Sequence, residues 1–396
     1  MTNRRSALVA GSCFAILASV VAGCGSSGSA SSSGQTRTVQ IDGSTKAFNA
    51  MFMAYFPKVV SVHPGDTVVF QEHWTGEPHS VTMGTLVDKG LTAAANSDPN
   101  GPPPPAYASL PSMLPRGPGD AIQAAAAPCY LATGAPPSQP SQGCPKVAQP
   151  AFDGTWGYYS SGAIKPNKTW TVHLSKDIKP GTYQYYCNLH GAMMSGSIQV
   201  VSPSQRVPSQ AAVTAAGNKE RQAAVDKMMP TYQAVKAGRA PIKGNLAGVL
   251  SPDTQDVAVS EFVPNVIHAK VGQPVTWTLL GVHTVTVGGP ATVPPALTWA
   301  PDGSVHLQAS LFMPVGGPGE PQSSGSSGPP ASNQIKVVAA VDGGSYNGTG
   351  ERSSGIFTNS FPPALESYSL TFSKPGTYDI DCLFHPHMEA KVIVTP

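Results

Sequence analysis

The 396-residue chain is poor in charge: 24 Lys and Arg and 22 Asp and Glu make up 12% of it, with a formal net charge of +2. That is about half the share found in ordinary globular domains. With no basic patch or charge run, the composition excludes nucleic acid as a partner class. Long apolar runs are also scarce. Ala7 to Val21 forms one, and no later segment approaches the length needed to span a bilayer. Only four of the six cysteines lie beyond residue 24. In excess are the turn formers, 41 glycines and 40 prolines, which predict short strands between loops. The length predicts two domains, each with its own core.

Arg4, Arg5, the apolar run and the small residues after it predict a secretory signal over residues 1–23. Val21-Ala22-Gly23-Cys24 resembles the bacterial lipobox, in which the cysteine is lipidated and becomes the mature N-terminus. Residues 24–37, rich in Gly and Ser, then read as a flexible tether. The expectation is an exported protein, lipid-anchored at Cys24 to the bacterial cell membrane or outer membrane and facing the periplasm or cell exterior. Export favours disulfides, and Cys129 and Cys144 lie close together within one loop. Bridging them stabilises the fold by roughly 3 kcal/mol in the chain-entropy account. Cys187 and Cys382 sit in two copies of one motif, which points to a local role for each.

The motif belongs to an internal repeat. "FPKVVSVHPGDTVVF" (Phe56 to Phe70) matches "FVPNVIHAKVGQPVTW" (Phe262 to Trp277), and "KPGTYQYYCNLH" (Lys179 to His190) matches "KPGTYDIDCLFH" (Lys374 to His385). Ser160-Ser161-Gly162 and Ser353-Ser354-Gly355 echo each other upstream of the second block. Within each half, short runs alternate branched or aromatic residues with polar ones, the pattern of an antiparallel β-sandwich. The boundaries read as a first domain over 38–202, a linker over 203–252 and a second domain over 253–396. The first domain carries a Pro/Ala-rich insert at about 91–150, expected as an irregular surface loop. The Ala-, Lys- and Glu-rich linker predicts a short helix around Lys219 to Met229, stopped by Pro230.

Each half places a cysteine, a histidine three residues on and a methionine within the next four: "YYCNLHGAMMSG" and "DCLFHPHMEA". A thiolate, two imidazoles and a weak thioether form the donor set of blue copper sites. The loop supplies three donors, so the second histidine must arrive from another strand end. "EPHSVTMG" offers His79 and "GVHTVTVG" offers His283. A cysteine or methionine by itself is ordinarily core filling. Two copies in register with both histidines favour a metal.

On these residues the chain resembles a protein of two cupredoxin (plastocyanin-like) domains. The resemblance covers roughly 38–202 and 253–396, leaving out the signal, linker and inserts. It implies an all-β protein: two tandem Greek-key β-sandwiches joined by a linker with a short helix, and one type 1 copper per domain. The implied ligands are His79, Cys187, His190 and Met194 in the first domain, with adjacent Met193 as the alternative axial residue. In the second they are His283, Cys382, His385 and Met388. His73 is a weaker competitor for the place of His79, and His387 is expected to face solvent. The family often has Asn after the early histidine, where this chain has Ser80 and Thr284; hydrogen bonding to the cysteine sulfur is therefore open.

The resemblance implies a membrane-tethered electron carrier with protein redox partners. Two alternatives stand beside it: a copper storage or delivery module, and a two-domain copper enzyme with a further copper at a subunit interface. Delivery sites rely on Met and His clusters rather than on thiolates such as Cys187 and Cys382. The enzymes wire their coppers together through histidine beside the cysteine, and here the neighbours are Tyr186, Asn188, Asp381 and Leu383.

Overall fold

The computed structural model describes residues 34–98, 101–111, 113, 126–134, 144, 148–251, 254–289, 297–299, 305–307, 314–317, 340–356 and 367–396. Cys24, the signal and most of the tether lie outside them. The chain is all-β in character, and each half is a pair of sheets packed face to face. Residues 34–396 form one compact unit.

In the first half, one sheet has the strand order Tyr55–Phe56, Thr36–Ile41, Thr67–Glu72, Thr169–His173. The facing sheet runs Val59–Val62, Gly191–Val200, Gly181–Cys187, Thr82–Met83, Tyr158–Ser160, Cys129–Leu131. Side chains alternate between faces along a strand. Thus Val68 and Phe70 of Thr67–Glu72 point into the core beside Val39, Ile41, Tyr185 and Ile198. The second half repeats the plan. Asn245–Ser251 pairs in parallel with Pro274–Leu279, as Thr36–Ile41 does with Thr67–Glu72. Val266–Lys270 pairs in parallel with Glu389–Thr395, as Val59–Val62 does with Gly191–Val200. The two Lys-Pro-Gly-Thr-Tyr turns close alike: Tyr183 Oη donates to the Lys179 carbonyl at 2.8 Å and Tyr378 Oη to the Lys374 carbonyl at 2.9 Å.

The halves are interlocked. Ala50–Phe52, from the first half, pairs antiparallel with Thr254–Val263 at the edge of the second half's six-stranded sheet. A separate apolar cluster lies under this junction, in which Phe48, Phe52 and Phe56 meet Val249, Val257 and Val263.

Two segments depart from the expectation. The linker helix is long, Gln210–Lys236, and passes through Pro230. It starts where Ser209 Oγ accepts from the Ala212 amide, an N-cap that satisfies an otherwise unpaired donor. Val213, Gly217, Ala224, Met228 and Val235 are buried along one seam, spaced four and seven apart as in a helix laid against a partner. Pro230 is on the exposed side, as is Asp226 four residues before it. The carbonyl that Pro230 cannot serve therefore faces solvent, and packing of the opposite face carries the helix past it. Gly217 lies on Phe56, where an added Cβ would come within 2.8 Å of its carbonyl carbon.

The insert is not wholly irregular. It follows on from a helix, Thr85–Ala95, that buries Val87 and Leu91 against Tyr186. It then docks on the ligand loop: Tyr107 Oη accepts from the Ala192 amide at 2.7 Å, and the Met113 amide donates to the Asn188 carbonyl at 2.8 Å. Cys129 and Cys144 are joined by a disulfide.

Candidate metal centres

Each half holds its early histidine by the same local device. The Val81 amide donates to Ser161 Oγ, and the Val285 amide to Ser354 Oγ, both at 2.8 Å. Behind these, Thr82 Oγ1 and Ser160 Oγ share a hydrogen bond, as do Thr286 Oγ1 and Ser353 Oγ. The Ser-Ser-Gly echoes therefore pin the strand that starts just beyond His79 or His283. Cys187 ends the strand Gly181–Cys187, and Cys382 directly follows Gly376–Asp381. The ligand loop then turns back into the neighbouring strand, in the second half through the Cys382 amide donating to the Met388 carbonyl at 3.0 Å.

Two groups of donors result: His79, Cys187 and His190, and His283, Cys382 and His385. In each, the ligand atoms lie within 4.8 Å of one another. Both cysteines are buried and free of disulfides. Met194 is fully buried in the core that contains Cys187, and Met388 is buried in the core that contains Cys382. Met193, by contrast, is 39% exposed. His73 belongs to neither group among the described residues, and His387 is exposed with a φ of 64°.

Ser80 and Thr284 answer for the missing Asn in the same way. Their amides donate to Cys187 Sγ and Cys382 Sγ, each at 3.4 Å. Their hydroxyls accept from the amides of Asn188 and Leu383, each at 2.8 Å. The sulfur is held from the backbone while the hydroxyl ties the ligand loop to the early histidine.

The donor atoms fit a metal. In the first half the histidines are gripped from outside: His79 Nε2 lies 3.3 Å from Asp42 Oδ2, and His190 Nε2 lies 2.6 Å from Glu77 Oε2. Their Nδ1 atoms are buried with no hydrogen-bond partner among the described residues. A buried nitrogen left without a partner is costly, and coordination resolves the cost. In the second half, His283 Nδ1 and His385 Nδ1 face each other at 3.1 Å, with Cys382 Sγ 3.7 Å from the latter. Two imidazoles and a thiol aimed at one point, with a thioether in the same core, suit a soft or borderline cation such as copper.

The electrostatics of the two groups differ. In the first, burial pushes His79 down, but the carboxylates of Glu72 and Asp42, with Cys187, outweigh it and hold the imidazole well above its usual range. Burial likewise opposes ionisation of Cys187, yet His190 and His79 hold the thiol well below its usual value. His190 is carried up to about 9 against burial by Cys187 and Glu77. Burial pushes Glu72 up to about 8. In the second, burial lowers His283 to about 4 and His385 well below its ordinary value, while it raises Cys382. Charged neighbours thus oppose burial in the first group, whereas burial dominates in the second.

The sequence reading missed three carboxylates, Asp42, Glu72 and Glu77. The strand pairing shows why they matter to one half only. Ile41 stands opposite Glu72 as Ala247 stands opposite Leu279, so Asp42 corresponds to Gly248 and Glu72 to Leu279. Glu77, two before His79, corresponds to Gly281, two before His283. A comparison of the halves for residues that fail to repeat is the signal that exposes all three.

No family model and no curated protein matches the chain. Among solved structures, it is similar to a dithionite-reduced auracyanin from Roseiflexus castenholzii at 17% identity. That match covers 43% of this chain and 99% of the other, with a TM-score of 0.23. For auracyanin B the figures are 16%, 42%, 89% and 0.21. For the Cu(I) form of an amicyanin mutant they are 14%, 42%, 82% and 0.20.

Proposed function

We propose that this chain is a two-domain cupredoxin that carries electrons, with one type 1 copper site in each half. The observation that carries the reading is the doubled, buried His-Cys-His group, whose donor atoms lie within 4.8 Å of one another in each half. His79, Cys187, His190 and Met194 would hold one ion, and His283, Cys382, His385 and Met388 the other. Copper held by such donors supplies a one-electron couple between Cu(I) and Cu(II). The protein's part is to fix the donors. Ser80 and Thr284 hold the sulfurs, while the packed sandwiches exclude water and restrain the histidines through both changes of charge.

The two halves act as domains, the first over about 38–202 and the second over 253–396 together with Asn245–Ser251, a strand of its sheet that the expected linker over 203–252 supplies, and Gln210–Lys236 braces them. No described helix is long and apolar enough to cross a membrane. Export and a lipid on Cys24 would place the carrier at a membrane surface, where protein redox partners meet it. Exposed His387, in the ligand loop between His385 and Met388, marks a face from which electrons enter the second half.

The test is copper content and visible absorption of the chain from residue 34 onward, before and after mild reduction, in parallel with Cys187→Ser and Cys382→Ser. Two coppers and an intense band that bleaches reversibly, with each variant losing one copper and its share of the band, are expected. A colourless protein rules the carrier out. Uptake of copper without a bleachable band leaves the storage reading instead, and turnover of oxygen or nitrite by the loaded protein would turn the assignment to an enzyme.

A further inference from the structure

The outer nitrogens of the two ligand-loop histidines converge on one side chain. His190 Nε2 lies 2.6 Å from Glu77 Oε2, and His385 Nε2, from the other half, lies 3.9 Å from Glu77 Oε1. Glu77 is almost fully buried, as is His385. His385 Nε2 has no hydrogen-bond partner among the described residues, so the carboxylate oxygen is the polar group that stands before it.

The surrounding contacts build this approach. Gly76, at a φ of 123°, lies so close to the second half's ligand loop that an added Cβ would come 2.3 Å from the Phe384 carbonyl oxygen. Asn49 Nδ2 donates to the Pro386 carbonyl at 2.9 Å, on the far side of His385 in sequence. A buried carboxylate is costly unless it is paired. The second half assembles an equivalent set of donors with Gly281 in the corresponding position. A carboxylate there is therefore not a requirement of the ligand geometry, and its two-sided contact points to a role between the centres.

We propose that Glu77 joins the two centres into one electron-transfer unit, passing an electron between them along His190, the Glu77 carboxylate and His385. The proposal rests on the copper reading above and extends it. In the step, one centre is oxidised by one electron and the other reduced by one. No covalent bond breaks and no proton changes hands. One hydrogen bond, between His190 Nε2 and Glu77 Oε2 at 2.6 Å, and one through-space step of 3.9 Å from Glu77 Oε1 to His385 Nε2 make a shorter route than an open gap of the same total length, and outer partners of metal-bound histidines are sensitive positions.

The experiment uses the copper-loaded chain. A sub-stoichiometric pulse of a one-electron reductant is followed by visible absorption, with Cys187→Ser and Cys382→Ser supplying the spectrum of each single centre. The expected result is a redistribution phase whose rate does not depend on protein concentration. Glu77→Ala slows it by about tenfold or more, and Glu77→Gln, which keeps the shape, restores part of the rate. A Glu77→Ala protein that holds both coppers and redistributes at the parent rate overturns the proposal, as does a parent chain without the intramolecular phase. Should Glu77→Ala lose a copper, Glu77→Gln, which keeps the side chain's volume, is read by the same criterion: both coppers held and redistribution at the parent rate overturn the proposal. Failure of the carrier reading is visible earlier and separately, as a parent chain with no copper or no bleachable band before any pulse.

Discussion

Asp42 and Gly248 occupy the same place in the two halves, and each lies against the outer edge of its half's early histidine. Asp42 Oδ2 is 3.3 Å from His79 Nε2, whereas a Cβ on Gly248 would be 2.2 Å from His283 Nε2. One half fills the space with charge, and the other leaves room only for hydrogen.

This difference orders the redox potentials. A carboxylate behind a metal-bound imidazole favours the more positive oxidation state, so the first centre should have the lower potential and give its electron to the second. Potentiometric titration of Cys382→Ser, which isolates the first centre, and of Cys187→Ser, which isolates the second, measures the order directly. Asp42→Asn should raise the potential of the first centre alone. Equal potentials in the two single-centre proteins would refute the electrostatic argument.

Gly248 has a φ of 88°, and a side chain there meets both His283 and the Leu280 carbonyl. Gly248→Ala is expected to expel His283 from the donor group. Copper content should fall from two to one, with the remaining spectrum equal to that of Cys382→Ser. Retention of two coppers with an unchanged band would show that the loop has room that the structure does not give it.

Asp88 supplies a pH dependence away from both centres. Burial raises its carboxyl to about 6, and the Gln184 amide, which donates to Oδ1 at 2.8 Å, offsets only part of this. Between the ordinary carboxyl value near 4 and about 6, the folded state binds more protons than the unfolded state. Stability therefore falls as pH rises through that window and levels off above it. Asp88→Asn should remove this fall, so the gap in melting temperature between variant and parent should widen in the variant's favour from pH 4 to pH 7. A gap independent of pH would place Asp88 in solvent.

The convergence of His79, Cys187 and His190, and of His283, Cys382 and His385, was legible because core filling does not require the same four donors twice in register. Strand identity was legible from alternation, as in Val68 and Phe70. Asp42, Glu72 and Glu77 were not. Each is a single carboxylate whose meaning depends on a partner distant in sequence, and a reading built on what repeats passes over what does not. The linker helix runs beyond what composition predicts because the seam of Val213, Gly217, Ala224, Met228 and Val235 packs it against its neighbours. Its passage through Pro230 follows from tertiary packing, which local propensity does not contain. The docking of Tyr107 over Ala192 lay in a segment whose Pro-rich composition resembles loop anywhere.

The loan of Ala50–Phe52 to the second half's sheet also has a consequence for biogenesis. A sheet edge left open is a template for association with other chains. During synthesis the N-terminal half emerges and folds first, so the strip that seals this edge is in place before Thr254–Val263 appears. A fragment that lacks Ala50–Phe52 would be made with the outer edge of Thr254–Val263 bare, open to pairing with other chains.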